Sequence, residues 1–200
     1  MIESKNIESK IQNATITQTP LNDLVIITPN AFSDNRGEFI KQFNFENFAA
    51  AGLKFDVKES FYSVSKKGVL RGMHFQTPPH EHKKLVYVAS GKILDVVLDM
   101  RLNSSSFKQY FAVILDSNNH RVLYIPSGFA HGFLSLENDT KVCYMQTSGY
   151  NATSDSGISF DSFDFDWEAH AKEHKISEFI ISNRDKNFES FESFAKKRIF

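Results

Sequence analysis

The stretch Gly68-Val69-Leu70-Arg71-Gly72-Met73-His74-Phe75-Gln76 places polar groups inside a run that otherwise has the composition of a β-strand. Arg71 carries a fixed positive charge that suits a phosphate or a carboxylate, whereas His74 can exchange a proton near pH 7. Because side chains alternate along a strand, Arg71 and His74 would lie on opposite faces of a regular one. Both can reach one cavity only if the backbone is irregular between them, and Gly72 is where a bulge costs least.

Short apolar runs separated by turn residues continue on both sides of this stretch and predict an all-β fold, either a sandwich or a barrel. The predicted strands cover residues 24–29, 38–40, 59–64, 69–75, 84–89, 93–98, 109–115, 121–125, 132–136 and 142–146. A short helix is predicted over residues 45–51, and Phe188, Phe191 and Phe194 predict a C-terminal helix with an aromatic face. We expect residues 1–14 to form a polar tail and residues 15–200 a single domain.

The composition of the chain narrows its possible partners. The 200 residues include 23 Lys and Arg against 24 Asp and Glu, so the formal net charge of -1 gives no overall field that favours nucleic acid or an anionic membrane. The sequence contains no apolar run of about 18 residues. Cys143 is the only cysteine and cannot form an internal disulfide. We therefore expect a cytoplasmic protein with neither a nucleic-acid nor a membrane partner.

Four further residues offer chemistry when they are considered beside His74. Lys84 begins a strand, His131 lies in a glycine-flanked segment predicted as a turn, Tyr144 lies on a strand, and Asp185 follows an apolar run. Each has a structural explanation: a solvated strand end, a packed turn residue, a core tyrosine and a helix N-cap, respectively. Their joint occurrence in one chain favours a shared site.

Several strings of the sequence occur in the order typical of one family. They are Arg71-Gly72-Met73-His74-Phe75-Gln76, Lys84-Leu85-Val86, the segment 91–101, the segment 126–133, Tyr144 with Tyr150, and Ser182-Asn183-Arg184-Asp185. This pattern, which spans residues 24–185, resembles the dTDP-4-dehydrorhamnose 3,5-epimerase family. The resemblance implies a cupin-type jelly-roll β-sandwich with a few short peripheral helices.

The resemblance also implies a reaction that these side chains can perform. A 4-keto sugar has acidic C–H bonds beside its carbonyl, and inversion needs a base on one face, an acid on the other and a group that stabilises the enolate. By similarity, His74 is the base, Asp185 orients its imidazole, and Tyr144 is the acid. Lys84 and His131 lie near the developing oxyanion. Neither a metal nor any other cofactor is expected.

Other residues are expected, by the same resemblance, to bind the nucleotide-linked sugar. Arg36 and Arg71 would hold the diphosphate, and Tyr150 would stack on a ring of the nucleotide. The resemblance also implies a homodimer in which the N-terminal part of one chain contributes to the site of the other. The binding set is Arg36, Arg71, Lys41, Glu59, Phe61, Gln76, Tyr150, Asp155 and Arg184.

Part of this binding set departs from the family pattern. Lys41, Glu59 and Phe61 stand where the family usually has Glu, Gln and Asn, whereas Arg184 and Asp155 replace a usual Lys and Glu, which are milder changes. If these positions contact the nucleotide base, the changed side chains would leave hydrogen-bonding groups of the base without partners, at a cost of about 1–3 kcal/mol each. We expect a modified or non-thymidine nucleotide, or weaker binding of dTDP. In the alternative, Lys41 and Glu59 form a compensating ion pair and Phe61 packs against the ring of the base.

Three alternatives remain open from the sequence. His80 and His82 have the spacing of metal ligands, and the segment that ends at His131 resembles a second cupin metal motif, although both histidines lie in a loop rich in Pro and Lys. A second alternative is a 3-epimerase, a 5-epimerase or a ketoisomerase that acts on another nucleotide-linked keto sugar. The third is a sugar-nucleotide-binding protein without catalytic activity, since a fold does not imply a function.

Overall fold

The computed structural model describes residues 8–200, and its core is a sandwich of two antiparallel β-sheets. Along the chain the strands are β1 Glu8–Ile11, β2 Ala14–Gln18, β3 Val25–Pro29, β4 Ala31–Asp34, β5 Gly37–Ile40, β6 Glu59–Ser65, β7 Leu70–Gln76, β8 Lys84–Ser90, β9 Lys92–Asp99, β10 Tyr110–Asp116, β11 Val122–Ile125, β12 Phe129–Ser135, β13 Thr140–Gln146 and β14 Asp155–Gly157. The helices are α1 Phe45–Ala50, α2 Trp167–Glu173, α3 Asn183–Lys186 and α4 Phe191–Ala195. This architecture confirms the all-β prediction.

One sheet has seven strands in the order β1-β2-β3-β11-β8-β13-β6, and the other has five in the order β10-β9-β12-β7-β14. Strands β4 and β5 form a separate two-stranded hairpin, and the segment Asp34-Asn35-Arg36-Gly37 between them is rich in turn-forming residues. Strand β6 lies at the edge of the larger sheet, whereas β7 lies inside the smaller one. These two strands, which carry five of the fourteen predicted site residues, are therefore in different sheets.

Apolar side chains fill the space between the two sheets and cover their outer faces. Between the sheets, Val97 and Phe133 from the smaller sheet pack with Leu123 from the larger one. The outer face of the smaller sheet is covered by the C-terminal segment, which buries Trp167 and Phe191. Each such large side chain contributes about 1.5–3 kcal/mol when fully buried. The sandwich is thus closed at one side by aromatic residues of the C-terminal helices.

The backbone of β7 is irregular at the predicted position. His74 pairs with His131 of β12 and Arg71 pairs with Phe133, so two residues of β7 lie opposite one residue of β12. Gly72 has a φ of +141°, and a Cβ there would lie 2.5 Å from the Cα of Gly132, so the close approach of the two strands requires glycine. The bulge at Gly72 is confirmed, and both Arg71 and His74 line the same cavity.

Three sequence-based expectations about the elements need correction. Residues 8–11 form β1 and pair with β2, so ordered structure begins inside the predicted polar tail, whose first seven residues lie outside the described part. His131 lies within β12 and not in a turn. Phe188 precedes α4, and only Phe191 and Phe194 of the aromatic series lie on the helix and are buried. Helix α1 forms where predicted, before Gly52 with its φ of +76°.

Candidate active site

An open cavity of about 390 Å³ lies between the two sheets and is lined by both. Eleven of the fourteen predicted site residues line it: Glu59, Phe61, Arg71, His74, Gln76, Lys84, His131, Tyr144, Tyr150, Asp155 and Arg184. Five lining residues were not predicted: Ser63, Phe75, His82, Phe133 and Gln146. The fold therefore brings most of the scattered strings together at one place.

His74 and Asp185 form a hydrogen-bonded pair at the wall of this cavity. Nε2 of His74 lies 2.9 Å from Oδ1 of Asp185, and the Gly72 amide donates to Oδ2 at 3.3 Å. Ser182 caps α3, and its hydroxyl accepts the amide hydrogen of Asp185. Asp185 is thus not the helix cap itself but a buried residue of the first turn. With Nε2–H donated to the carboxylate, Nδ1 of His74 keeps the lone pair that a base needs.

Burial and the neighbouring charges shift the pKa of both members of this pair. Burial lowers the pKa of His74 below 6.5, and the charges of Lys84 and Arg184 add to the fall, while Asp185 opposes it. Burial alone would raise the pKa of Asp185, but hydrogen bonds from His74 and Gly72 outweigh it and hold that pKa below 3.8. At pH 7 the geometry therefore presents a neutral imidazole beside a carboxylate.

Lys84 enters the cavity from β8, in the sheet opposite His74. Its side chain is buried, and Nζ donates a hydrogen bond to the carbonyl oxygen of His74 at 3.1 Å. Burial lowers the pKa of Lys84 to about 8, against the opposing charges of Asp95 and Asp155. The structural explanation of Lys84 as a solvated strand end therefore does not hold, and a desolvated cation lies beside His74.

His131 belongs to a second imidazole–carboxylate pair, whose acid was not predicted. Its Nε2 lies 2.8 Å from Oδ2 of Asp95 on the neighbouring strand β9, and both side chains are buried. Within residues 8–200 the other oxygen, Oδ1, has no hydrogen-bond partner. The signal available in the sequence was an acid in the middle of the apolar run Leu94-Asp95-Val96-Val97, since a buried carboxylate needs a compensating partner.

Tyr144 is buried in the wall formed by the larger sheet. The ring of Phe61 stacks on it, with centroids 4.8 Å apart and planes 15° apart, and His131 meets it edge-on at 6.2 Å. Burial and the charge of Asp95 raise the pKa of Tyr144 above 10, and the nearby Ser63 hydroxyl opposes this rise. The phenol therefore keeps its proton at neutral pH.

The outer part of the cavity is rich in cations and aromatic surface. Arg71 donates to the Ser65 hydroxyl at 3.2 Å, and Arg184 forms an ion pair with Asp155 at 2.8 Å. Tyr150 is exposed at the rim. Guanidinium groups suit phosphate oxygens, and an exposed tyrosine ring suits a flat heterocycle. This region could hold a nucleotide diphosphate.

Gln76 lines the cavity, but its amide is already engaged within the chain. Its Nε2 donates to the carbonyl oxygens of His80 and Gly149, and its Oε1 accepts the amide hydrogen of Asn151 at 2.7 Å. These bonds fix the loops that frame the site. Gln76 therefore shapes the cavity and has little capacity left for a ligand.

Two predicted binding residues lie outside the cavity of this chain. Arg36 is at the tip of the β4–β5 hairpin, with its side chain 85% exposed and paired with Asp34 at 2.5 Å. Lys41 lies in a separate shallow depression beside α1, whereas Glu59 lies in the main cavity. The alternative ion pair between Lys41 and Glu59 is therefore not formed within the chain.

His82, which the spacing from His80 suggests as a metal ligand, lies beside Gln76 in the cavity. Gln76 Nε2 lies 3.1 Å from its Nδ1, and burial, together with the charges of Lys84 and His131, lowers the pKa of His82 to about 3. Among residues 8–200 no group of three or more His, Cys, Asp and Glu side chains is placed to hold a metal ion. The same part of the chain has no helix both long and apolar enough to cross a membrane.

Comparison with known proteins gives a consistent assignment. A family model described as dTDP-4-dehydrorhamnose 3,5-epimerase matches residues 18–193. The dTDP-4-dehydrorhamnose 3,5-epimerase of Methanothermobacter thermautotrophicus is 39% identical over 173 residues, which cover 86% of this chain and 91% of that protein. The match with this relative extends over nearly the whole of both chains.

Solved structures of related enzymes share the fold. The dTDP-6-deoxy-D-glucose-3,5-epimerase of Legionella pneumophila, in complex with dTDP-4-keto-L-rhamnose, has a TM-score of 0.85 at 30% identity and covers 93% of this chain and 97% of its own. ChmJ, a 3'-monoepimerase from Streptomyces bikiniensis in complex with dTDP-quinovose, has a TM-score of 0.82 at 26% identity and covers 91% and 90%, respectively. With its cupin-type jelly roll and these matches along almost its full length, the chain belongs to the dTDP-4-dehydrorhamnose 3,5-epimerase family of isomerases.

Proposed function

We propose that this chain inverts one or both carbons beside the keto group of a nucleotide-linked 4-keto-6-deoxy sugar, without a cofactor, as a step of deoxysugar and lipopolysaccharide biosynthesis in the cytoplasm. The observation that carries the proposal is the pairing of a neutral base with a protonated acid across one cavity. His74 and Asp185 lie at the wall from the smaller sheet, and Tyr144 lies at the wall from the larger one.

In the proposed mechanism, Nδ1 of His74 removes the proton from the carbon beside the carbonyl, and the C–H electron pair forms an enolate. The ammonium of Lys84 stabilises the charge on the enolate oxygen, and this stabilisation is worth most in a site that excludes water. His131 can assist as a donor only from Nδ1, because its Nε2 faces Asp95. The hydroxyl of Tyr144 then donates its proton to the opposite face of the same carbon. Solvent returns a proton to the phenolate and removes one from the imidazolium, so the enzyme is regenerated.

Two arginines in the outer part of the cavity support a nucleoside diphosphate as the group through which the enzyme binds its substrate. Arg71 and Arg184 would hold the phosphates, with Tyr150 against the base, and dTDP is the first candidate because the Legionella and Streptomyces structures contain dTDP sugars. Glu59 and Phe61 line the cavity. Because these two residues depart from the family pattern, a modified or non-thymidine nucleotide is the competing candidate.

The β4–β5 hairpin supports a homodimer in which a second copy completes each site. Phe32 and Phe39 on this hairpin are 52% and 60% exposed, and Arg36 lies at its tip. A two-stranded hairpin with exposed aromatic residues gains little stability by itself. Docked on a second chain, it would bury both rings and bring Arg36 towards the diphosphate of the partner's cavity.

The proposal is tested with 4-keto-6-deoxy sugars linked to dTDP, UDP, GDP and CDP, incubated with the enzyme in heavy water. We expect deuterium at the carbons beside the carbonyl and inversion at one or both, read by NMR. Inversion at one carbon alone would assign a monoepimerase. Binding of all four nucleotide sugars without exchange in any would contradict catalysis and leave the sugar-nucleotide-binding alternative.

A further inference from the structure

Phe61 lies beside Tyr144 but has no role in the proposed reaction mechanism. It lies on β6 directly opposite Tyr144 on β13, and the two rings stack with centroids 4.8 Å apart and planes 15° apart. Cross-strand aromatic pairs of this kind fix the relative orientation of both rings. Phe61 itself is 43% exposed at the edge of the sheet, so its burial in the core is not what holds it there.

The register of β6 and β13 places a row of side chains on the cavity wall. Glu59 lies opposite Gln146, Phe61 opposite Tyr144 and Ser63 opposite Val142, and the three β6 residues all line the cavity. The intervening Tyr62 lies on the other face and is 65% exposed. Phe61 therefore belongs to the part of the cavity wall that carries Tyr144.

Aromatic contacts from two directions hold the ring of Tyr144. Phe61 covers one face of it, and His131 from the opposite sheet meets it edge-on with planes 70° apart. His131 is itself fixed by Asp95, but Phe61 is the contact that lies parallel to the phenol. The position of the phenolic oxygen thus depends on the flat ring of Phe61.

We propose that Phe61 is a positioning residue that holds the phenol of Tyr144 in line with the face of the enolate opposite His74, and so determines whether deprotonation ends in inversion. The inference rests on the proposed function, in which Tyr144 is the acid. When the phenol is displaced, the enolate is reprotonated by the imidazolium on the face from which the proton left. The carbon then exchanges its hydrogen with solvent and keeps its configuration.

The test compares inversion with solvent exchange in the same tube of heavy water, using a dTDP-4-keto-6-deoxy sugar and full-length enzyme. Phe61→Leu keeps an apolar side chain but removes the flat ring, and we expect the ratio of inversion to exchange to fall at least about tenfold. Phe61→Tyr keeps the ring and should retain the wild-type ratio. Tyr62→Leu, one residue away on the other face, is the matched control and should also retain it.

A second readout needs no substrate. The ring-proton signals of Tyr144, identified by their loss in Tyr144→Phe, should move in Phe61→Leu because the stacked ring no longer shields them. If the ratio of inversion to exchange is unchanged in Phe61→Leu but lowered in Tyr144→Phe, only the positioning role of Phe61 would be overturned. A wild-type enzyme that neither exchanges nor inverts would overturn the proposed function, and a Tyr144→Phe variant with the wild-type ratio would overturn the assignment of the acid.

Discussion

The imidazole Nε2 of His131 lies 2.8 Å from Oδ2 of Asp95, and both side chains are buried in the wall of the cavity. This pair sets a fixed negative charge close to Lys84. Burial lowers the pKa of Lys84 to about 8, and the charge of Asp95 is the largest influence that opposes the fall. Asp95 therefore both orients His131 and helps Lys84 to stay charged.

Asp95→Asn removes this charge with little change in size. We expect at least about a tenfold loss of kcat, and a shift of the alkaline limb of kcat/KM to lower pH because the pKa of Lys84 falls further without its counter-charge. The measurement is the pH profile of both proteins, with dTDP affinity and thermal unfolding as controls for folding. An alkaline limb that stays in place would show that Asp95 does not act on Lys84.

The wild-type pH profile is itself a prediction. In the proposed mechanism neutral His74 is the base, so activity should be lost as the pH falls through its pKa, which lies below 6.5. Charged Lys84 is the cation of that mechanism, so activity should be lost as the pH rises through its pKa of about 8. We expect a bell-shaped kcat/KM, which reports the free enzyme.

The variant Lys84→Arg tests whether the acid and alkaline limbs of kcat/KM belong to different groups. The guanidinium stays charged at every accessible pH, so the alkaline limb should disappear whatever the loss in rate, while the acid limb remains. Lys83→Arg is the matched control, because Lys83 binds the carbonyl oxygen of Lys54 outside the cavity. The same alkaline limb in Lys84→Arg and in the wild type would assign that limb to another group.

Parts of this site could be predicted because their signals are local. Arg71, Gly72 and His74 lie within four positions, and a glycine between two functional side chains is enough to predict the bulge that joins them on one cavity. Gly128 and Gly132, which flank His131, predict a turn there. Gly132 instead lies in a strand, where its missing side chain allows the backbone of Gly72 to approach.

Other parts depend on register and on contacts between distant segments. The stack of Phe61 on Tyr144 requires the pairing of β6 with β13, and a slip of one residue would replace Phe61 by Tyr62 or Ser60. The partnership of Asp95 with His131 requires the pairing of β9 with β12. Neither register can be read from the separate strands. Arg36 lies at the tip of the β4–β5 hairpin, outside the cavity of its own chain.

Loss of His74, the proposed base, should reduce turnover more than loss of its partner Asp185. His74→Asn removes the only proton acceptor of the proposed mechanism, so turnover should fall by about 10²–10⁴-fold, while the Kd for dTDP changes by no more than a few-fold. Asp185→Asn should reduce turnover less, because the imidazole of His74 remains and loses only the charge that orients it. Kinetics in heavy water and calorimetric titration with dTDP give the two numbers. Near-normal deuterium incorporation by His74→Asn would exclude it as the base.

The stability of the site should depend on a glycine beneath the C-terminal segment. Gly157 on β14 pairs with His74, and the ring of Phe188 packs over it. That ring also meets the imidazole of His74 edge-on at 5.7 Å and lies under the guanidinium of Arg184 at 5.2 Å. A Cβ at position 157 would overlap the Phe188 ring and lie 2.7 Å from the carbonyl oxygen of Met73.

Gly157→Ala must therefore move either Phe188 or the β7 backbone. Because overpacking costs about 1–3 kcal/mol, we expect the free energy of unfolding in urea to fall by that amount. Displacement of Phe188 also uncovers His74 and relieves the burial that depresses its pKa, so the acid limb of kcat/KM should move to higher pH. Gly149→Ala, where an added Cβ meets nothing within 4 Å, is the control and should change neither quantity. Equal stability of the two variants would mean that Phe188 does not close on Gly157 in solution.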